Sequence, residues 1–562
     1  MNIATATSSL TTRDEPVGDL IARTLAEAGV THVFGVISIH NMPILDAIFR
    51  QGRITFVPAR GEAGAMNMAD AYARVSRSVG VVITSTGTAA GNAAGSQVEA
   101  LTAGSPVLHI TTQIDTPWMD RDRAAIHDVP RQPDMLKAVS KAYFRLWDGN
   151  GVVPVVHAAI SAALSAPTGP VSLEIPVDVQ RMPSIIPPRI GKPVVVRVEP
   201  DAEHLDVLAD MIKKAKRPML YLGGGARGAE AAATALVERG FCAATSTNGR
   251  ASVPEDHPRN IGAFNMTPQA QDIYDRCDLM IVVGSRLRGN ETRNNMLRLG
   301  KPLIQIDADA SQGGRNYPVD LFIHGDARLA LEGLLQRLPQ KVGGDKEFDA
   351  AVLAARIKGE EGVGRVLGVY KKLADVLRDR VHSQALPFVR DVTIGNSTFG
   401  NRYVRLAAPH LGVHALGGGI GQGIAMTVGA AFAANGKKTV SLVGDGGSMV
   451  NIGELATVVE NACDTVIVMM NDKAYGVIAN IQDAQYGNRH AYCHLHTPDF
   501  GLLAKAMGLP HVRISKIDDF EPAFDKALAE RGPIMLEVDM TAIGPYAEAF
   551  GGPPAGAAGG AR

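Results

Sequence analysis

Two acidic turns carry the most legible chemistry in this sequence. An apolar run over 440–443 ends in Gly444-Asp445-Gly446-Gly447, and a second over 465–470 ends in Asn471-Asp472, with Asp472 27 positions after Asp445. Glycines let the backbone turn sharply and come close to a bound group. Between the turns Ile452, Leu455, Ala456 and Val459 recur at helical spacing, so the stretch predicts strand, turn, helix over 451–461, strand, turn. A right-handed crossover sets both turns at the carboxyl ends of parallel strands, where open α/β sheets bind ligands. Two oxygen-bearing side chains beside glycine amides suit a hard divalent cation such as magnesium, which takes few protein carboxylates and bridges to phosphate oxygens. Two ordinary polar turns are the alternative for motifs this short.

Three further places hold reactive residue types. His40 follows a predicted strand over 32–36, in a loop where a histidine is more often a surface or packing residue. Glu62 opens a helix after a strand over 55–58, and an acid there is favourable on dipole grounds alone. The run GGGIGQGIAMTVGAAFA begins at Gly417 and leads into a helix of small residues, with Gly418 and Ile420 at its entry.

The rest of the chain must position these groups. At 562 residues it is too long for one core and predicts roughly three or four units of about 150 residues each. With 56 basic and 57 acidic residues, its net charge of −1 supplies no electrostatic case for nucleic acid or an anionic membrane, so a small-molecule substrate is expected. Cys242, Cys277, Cys463 and Cys493 lack the close pairing of a disulfide framework or zinc site. Residues 1–13 lack the apolar core of a signal peptide, and no apolar run reaches the length of a membrane span. A cytoplasmic protein with reduced thiols and frayed or mobile tails is expected.

The GDG turn followed at that spacing by Asn471-Asp472 resembles the thiamine-diphosphate motif. RGEAGAMNMADAYAR, followed by VGVVITSTGTAAGNAAGSQVEALTAGSPVLHITTQ, looks like the pyrimidine-binding domain of acetolactate synthase and its relatives, which include benzaldehyde lyase and benzoylformate decarboxylase. The resemblance implies thiamine diphosphate and Mg2+ as cofactors. It implies that Asp445, the Asp472 side chain and the Ala474 carbonyl hold the metal, although the family more often has Asn at the Asp472 position. Gly444, Gly446, Gly447, Asn471, Tyr475 and Gly476 would line the cofactor. The Gly418 carbonyl would accept from its aminopyrimidine, and Ile420 would wedge between its two rings. Glu62 would be the activating glutamate, promoting the ylide at a cofactor held by another subunit. Gln113, His127 and His40 match active-site positions, and two converging histidines suit proton relay near neutral pH.

The same resemblance implies three α/β domains with parallel sheets: pyrimidine-binding over 14–185, middle and Rossmann-like over 195–338, and diphosphate-binding over 386–545. Residues 338–385 read as helical, with their charges on a solvated face. The middle domain carries GGGARG after a strand, but no clear acidic residue ends a second strand at the distance a dinucleotide site needs. FAD is therefore a possible cofactor that is not favoured. A homodimer or homotetramer with sites shared between subunits follows.

The implied reaction makes or breaks a carbon–carbon bond next to a carbonyl through ylide and enamine intermediates. An acetolactate-synthase-like carboligase acting on 2-oxo acids is the leading expectation. Two departures weaken a strict match: Asn290 stands where acetolactate synthase has a second, pyruvate-binding arginine, and Ile481 replaces a tryptophan of its acceptor pocket. A benzaldehyde-lyase-like acyloin lyase and a 2-oxo acid decarboxylase are the alternatives. From a different class comes a catalytically silent nucleotide-binding regulatory subunit, against which intact Glu62, Asp445, Asp472 and Ile420 weigh.

Overall fold

The structure is a computed structural model that describes residues 14–548. The tail segments 1–13 and 549–562 lie outside the described residues. Within them the chain forms three α/β units, each on its own parallel sheet. The strands are apolar along most of their length because both faces are covered by helices.

In the N-terminal sheet the order is Thr55–Pro58, His32–Gly35, Gly80–Thr84, Val107–Gln113, Val171–Pro176 and Ala142–Arg145. A two-residue antiparallel pairing of Glu15 with Ser184 ties the start of this domain to its end. The middle sheet runs Cys242–Thr245, Pro218–Leu222, Leu279–Val283, Leu303–Asp307, Leu321–His324. The C-terminal sheet runs Gly412–His414, Phe388–Arg390, Thr439–Gly444, Thr465–Asn471, Ile534–Asp539, His511–Ile514. Thr439–Gly444 and Thr465–Asn471 are neighbours in register, so the two acidic turns emerge side by side.

The N- and C-terminal domains share one apolar core, in which helix Glu62–Ser76 lies on helix Gly423–Ala433. Small residues make this packing possible. A Cβ at Gly429 would stand 1.9 Å from the Met68 carbonyl oxygen, so any larger residue would push the two backbones apart. Helices Lys346–Leu367 and Lys371–Ser383 lead from the middle domain into the C-terminal one. Arg356 departs from the solvated face expected of this segment: it is buried and donates to the carbonyls of Glu255 at 3.0 Å and His257 at 2.7 Å.

One local expectation is altered. Residues 445–451 coil into the helical turns Asp445–Ser448 and Met449–Asn451, and the predicted helix begins only at Glu454. A Cβ at Gly446 would lie 2.9 Å from the Tyr475 ring, so the glycine allows the turn to wind beneath that ring instead of opening into a loop.

Candidate active site

Three loops meet at the carboxyl ends of Phe388–Arg390, Thr439–Gly444 and Thr465–Asn471. At their centre is Asp391, which sequence reasoning missed. It is fully buried and accepts from the backbone N–H groups of Val392 at 2.7 Å, Gly421 at 3.1 Å and Gly423 at 3.1 Å. It thereby ties the first loop to the glycine-rich entry that carries Gly418 and Ile420. Burial pushes its carboxyl up to about 6 although these N–H groups favour the ionised form. Gly418 has φ of +82°, and Ile420 is 38% exposed despite its apolar side chain.

The Asp445 and Asp472 carboxyl groups lie within hydrogen-bonding reach of each other. Burial raises both, and the neighbouring Asp472 charge raises Asp445 further. A buried and a half-buried carboxylate this close repel one another when ionised, and a divalent cation relieves that repulsion. Ala474 pairs with His494 in an antiparallel bridge whose bonds run from Tyr475 N to Cys493 O (2.8 Å) and from Leu495 N to Lys473 O (3.1 Å). Those flanking bonds leave the Ala474 carbonyl outside the pairing. Asn471 is otherwise engaged: its amide donates to Glu537 at 2.6 Å, which also pairs with His511 at 2.8 Å. Gly476 allows Asp472 its position, since a Cβ there would lie 2.0 Å from Asp472 Oδ2.

In the N-terminal domain His40 and His127 converge, their rings 5.2 Å apart and edge to face. His40 is buried and lies 3.3 Å from the Ser85 hydroxyl, and its carbonyl accepts from Gln180 at 2.9 Å. Burial lowers its pKa, and the nearby His127 adds to the shift. His127 is exposed and takes φ of +65°. Gln113 sits deeper. Its oxygen accepts from the Thr86 hydroxyl at 3.0 Å and Ile114 N at 2.9 Å, and its nitrogen donates to Glu174 at 3.2 Å. Gln132 shares both partners, Thr86 at 3.0 Å and Glu174 at 2.7 Å. Neither Gln132 nor Glu174 stands in a sequence motif that would have revealed it. Half-buried Glu62 starts its helix and accepts from Asn92 at 3.1 Å.

The middle domain offers a separate cavity of about 540 Å³, lined by Gly224, Gly225, Arg227, Arg286 and Arg288 and roofed by the N-terminal domain's Arg77. Asp307, at the end of its own strand, also lines it. The strand that follows the glycine loop, Cys242–Thr245, ends without an acidic residue, and Asp307 comes from a strand two places away from Pro218–Leu222 in the sheet.

The residues present fit a metal-bound diphosphate. Asp445 Oδ2, Ser448 Oγ, Asn396 Oδ1 and Gln422 Oε1 are buried with no hydrogen-bond partner among the described residues, although buried polar atoms are normally paired. Among those residues no cluster of three or more His, Cys, Asp or Glu side chains is placed to hold a metal. Asp445, Asp472 and the Ala474 carbonyl would form a partial shell of hard oxygens that ligand phosphates complete.

Comparison with known proteins agrees in all three domains. Family models match residues 16–135 as the thiamine pyrophosphate enzyme N-terminal TPP binding domain, 205–334 as the central domain, and 393–538 as the C-terminal TPP binding domain. The chain belongs to the thiamine pyrophosphate enzyme family. Among its relatives, a probable 2-ketoarginine decarboxylase of Pseudomonas aeruginosa is 30% identical, over 93% of each chain. The acetolactate synthase isozyme 2 large subunit of Escherichia coli is 28% identical, over 92% of this chain and 94% of that one. A probable acetolactate synthase large subunit of Methanocaldococcus jannaschii is 26% identical, over 92% and 91%. The protein is accordingly a thiamine-diphosphate-dependent enzyme with the three-domain α/β fold. No helix among the described residues is long and apolar enough to cross a membrane.

Proposed function

We propose that this enzyme makes or breaks the carbon–carbon bond next to a carbonyl, as an acetolactate-synthase-like carboligase acting on 2-oxo acids. The proposal is supported by the identity to acetolactate synthases, and the cofactor's place by the oxygens of Asp445, Ser448 and Asn396 that have no partner among the described residues. When bound, thiamine diphosphate supplies the nucleophilic carbon and the electron sink. Asp445, Asp472 and the Ala474 carbonyl would hold Mg2+. Glu62 would keep a proton at the pyrimidine nitrogen, the Gly418 carbonyl would accept from the amino group, and the Ile420 side chain, β-branched and therefore stiff, would support the cofactor between these contacts. His40 and His127 deliver or remove a proton at the substrate oxygen. His40, lowered by burial, is neutral near pH 7 and able to accept one.

A homodimer or homotetramer that shares its sites accounts for the exposed apolar residues around the two half-sites. Ile37, Ile39 and Met42 flank His40, and Ile420, Val450 and Ile478 flank the diphosphate loops. Glu62 of one protomer then serves the cofactor of its partner. The middle cavity stays outside this chemistry, with FAD not favoured there; a flavin absorption band in the purified protein would reverse that reading.

A second reading, 2-oxo acid decarboxylase, is favoured by Asn290 in place of a substrate-binding arginine and by the identity to the 2-ketoarginine decarboxylase. An acyloin lyase is supported by His40. The test supplies thiamine diphosphate and Mg2+ with a panel of 2-oxo acids and acyloins, and records carbon dioxide and products. Carbon dioxide with a ligated product supports the carboligase, carbon dioxide with aldehyde alone the decarboxylase, and acyloin cleavage without carbon dioxide the lyase.

A further inference from the structure

Two buried glutamates cross the junction between the N- and C-terminal domains in opposite directions. Glu454 begins helix Glu454–Glu460 of the C-terminal domain and is 2% exposed. Its carboxylate accepts from the backbone N–H of Arg60 at 3.1 and 3.2 Å, from that of Gly61, and from the Thr457 hydroxyl at 2.7 Å. Arg60 and Gly61 are the two residues directly before Glu62. Glu99, on helix Thr88–Ala103 of the N-terminal domain, is also 2% exposed. It accepts from the N–H groups of Leu416 at 2.8 Å and Gly417 at 2.6 Å, and from Arg74 at 2.9 Å. Leu416 and Gly417 are the two residues directly before Gly418. Arg74 in turn donates to the His414 carbonyl at 2.7 Å.

We propose that Glu454 and Glu99 are reciprocal positioning residues, each fixing from the opposite domain the backbone that presents a cofactor-contacting group: Glu454 sets Glu62, and Glu99 sets Gly418 and Ile420. The inference rests on the roles given to Glu62 and Gly418 above. Its physical basis is the strength of a buried carboxylate accepting paired backbone N–H groups, which are costly to leave unpaired and allow little displacement. Nothing else in the packing requires both contacts to fall immediately before the two groups of the site. A pair of domain fasteners could sit anywhere along the shared core. Because Glu454 stands nine residues after Asp445, the segment that holds the metal also orients an activating carboxylate.

The test uses Glu454→Gln and Glu99→Gln in the full chain. Amide hydrogen exchange without cofactor is expected to rise at residues 59–63 in the first variant and at 414–418 in the second. With saturating thiamine diphosphate and Mg2+, Glu454→Gln slows exchange of the bound cofactor's C2 proton at least tenfold while its Kd changes less than threefold. Glu99→Gln raises the Kd at least tenfold. If both folded variants keep C2 exchange and Kd within twofold of the parent, or both change the two quantities alike, the reciprocal assignment is overturned. Should Glu454→Gln fail to fold, Gly64→Ala serves instead. Its added Cβ would lie 2.1 Å from Glu454 Oε1 and displace the carboxylate without removing it, with the same slowing expected and unchanged exchange refuting the idea. Glu62→Gln is the control: if it too leaves C2 exchange untouched, the role given to Glu62 fails, and not the positioning of its backbone.

Discussion

Gly87 and His127 are packed backbone against backbone. Gly87 adopts φ of +61°, and the place where a Cβ would stand lies 2.3 Å from the His127 carbonyl oxygen. Gly87 is fixed in turn by its N–H bond to Gln132 at 2.7 Å, so the helix start at Thr88 sets the height at which His127 meets His40. Gly87→Ala combines a backbone conformation that costs about 1–3 kcal/mol in a residue with a side chain with a clash that moves the His127 loop. The expected result is a folded protein with intact thiamine diphosphate affinity and kcat/KM reduced at least tenfold. Steady-state kinetics beside a cofactor titration checks it, and unchanged kcat/KM would remove His127 from the chemistry.

Glu62 keeps its carboxylate half-buried, with Asn92 as its one hydrogen-bond partner among the described residues. Glu62→Gln keeps the size and loses the acid. Cofactor affinity should hold within a few-fold while C2 proton exchange falls by about two orders of magnitude or more, as expected for a lost general acid–base group. Quenched-flow NMR of the bound cofactor is the measurement.

Stripping divalent metal with a chelator should abolish tight thiamine diphosphate binding, and Mg2+ should restore it. Asp445→Ala should remove the Mg2+ dependence altogether. Asp472→Asn should retain Mg2+-supported binding within about tenfold, about 1.4 kcal/mol, because an amide oxygen is still a hard ligand and the repulsion with Asp445 is relieved. Isothermal titration with and without metal separates the three, and full affinity in Asp445→Ala would displace the metal assignment.

Asp391 gives a pH dependence of known sign. Its folded pKa of about 6 lies above the ordinary 3.8, so the folded state holds the proton more tightly than the unfolded chain. Its favourable contribution is complete below about pH 4 and is lost as pH rises through 6, amounting to about 3 kcal/mol. Asp391→Asn does not titrate. Thermal unfolding across pH 4–7 should therefore show the variant lacking a decline that the parent displays. Parallel profiles would mean that Asp391 ionises in the folded protein as readily as in the unfolded one.

Much of the protein was legible from local sequence. Continuous apolar runs predict strands buried on both faces, and helical periodicity between the runs predicts crossovers, so the parallel sheets and the side-by-side turns of Asp445 and Asp472 follow from residues within about thirty positions of each other. The entry at Gly418 and Ile420 and the helix opened by Glu62 are likewise local patterns. What only the tertiary structure decided are contacts with no period to read. Asp391 binds amides thirty residues away. Glu454 and Glu99 reach 394 and 317 residues along the chain to Arg60 and Leu416. Asp307 enters the middle cavity from a distant strand, and Asn471, part of the motif, spends its amide on Glu537. A backbone N–H carries no side-chain identity, so the carboxylate that will pair with it leaves no mark on the neighbouring sequence. The pairing is fixed only when two domains pack, and the need to satisfy every buried polar group then selects the partner.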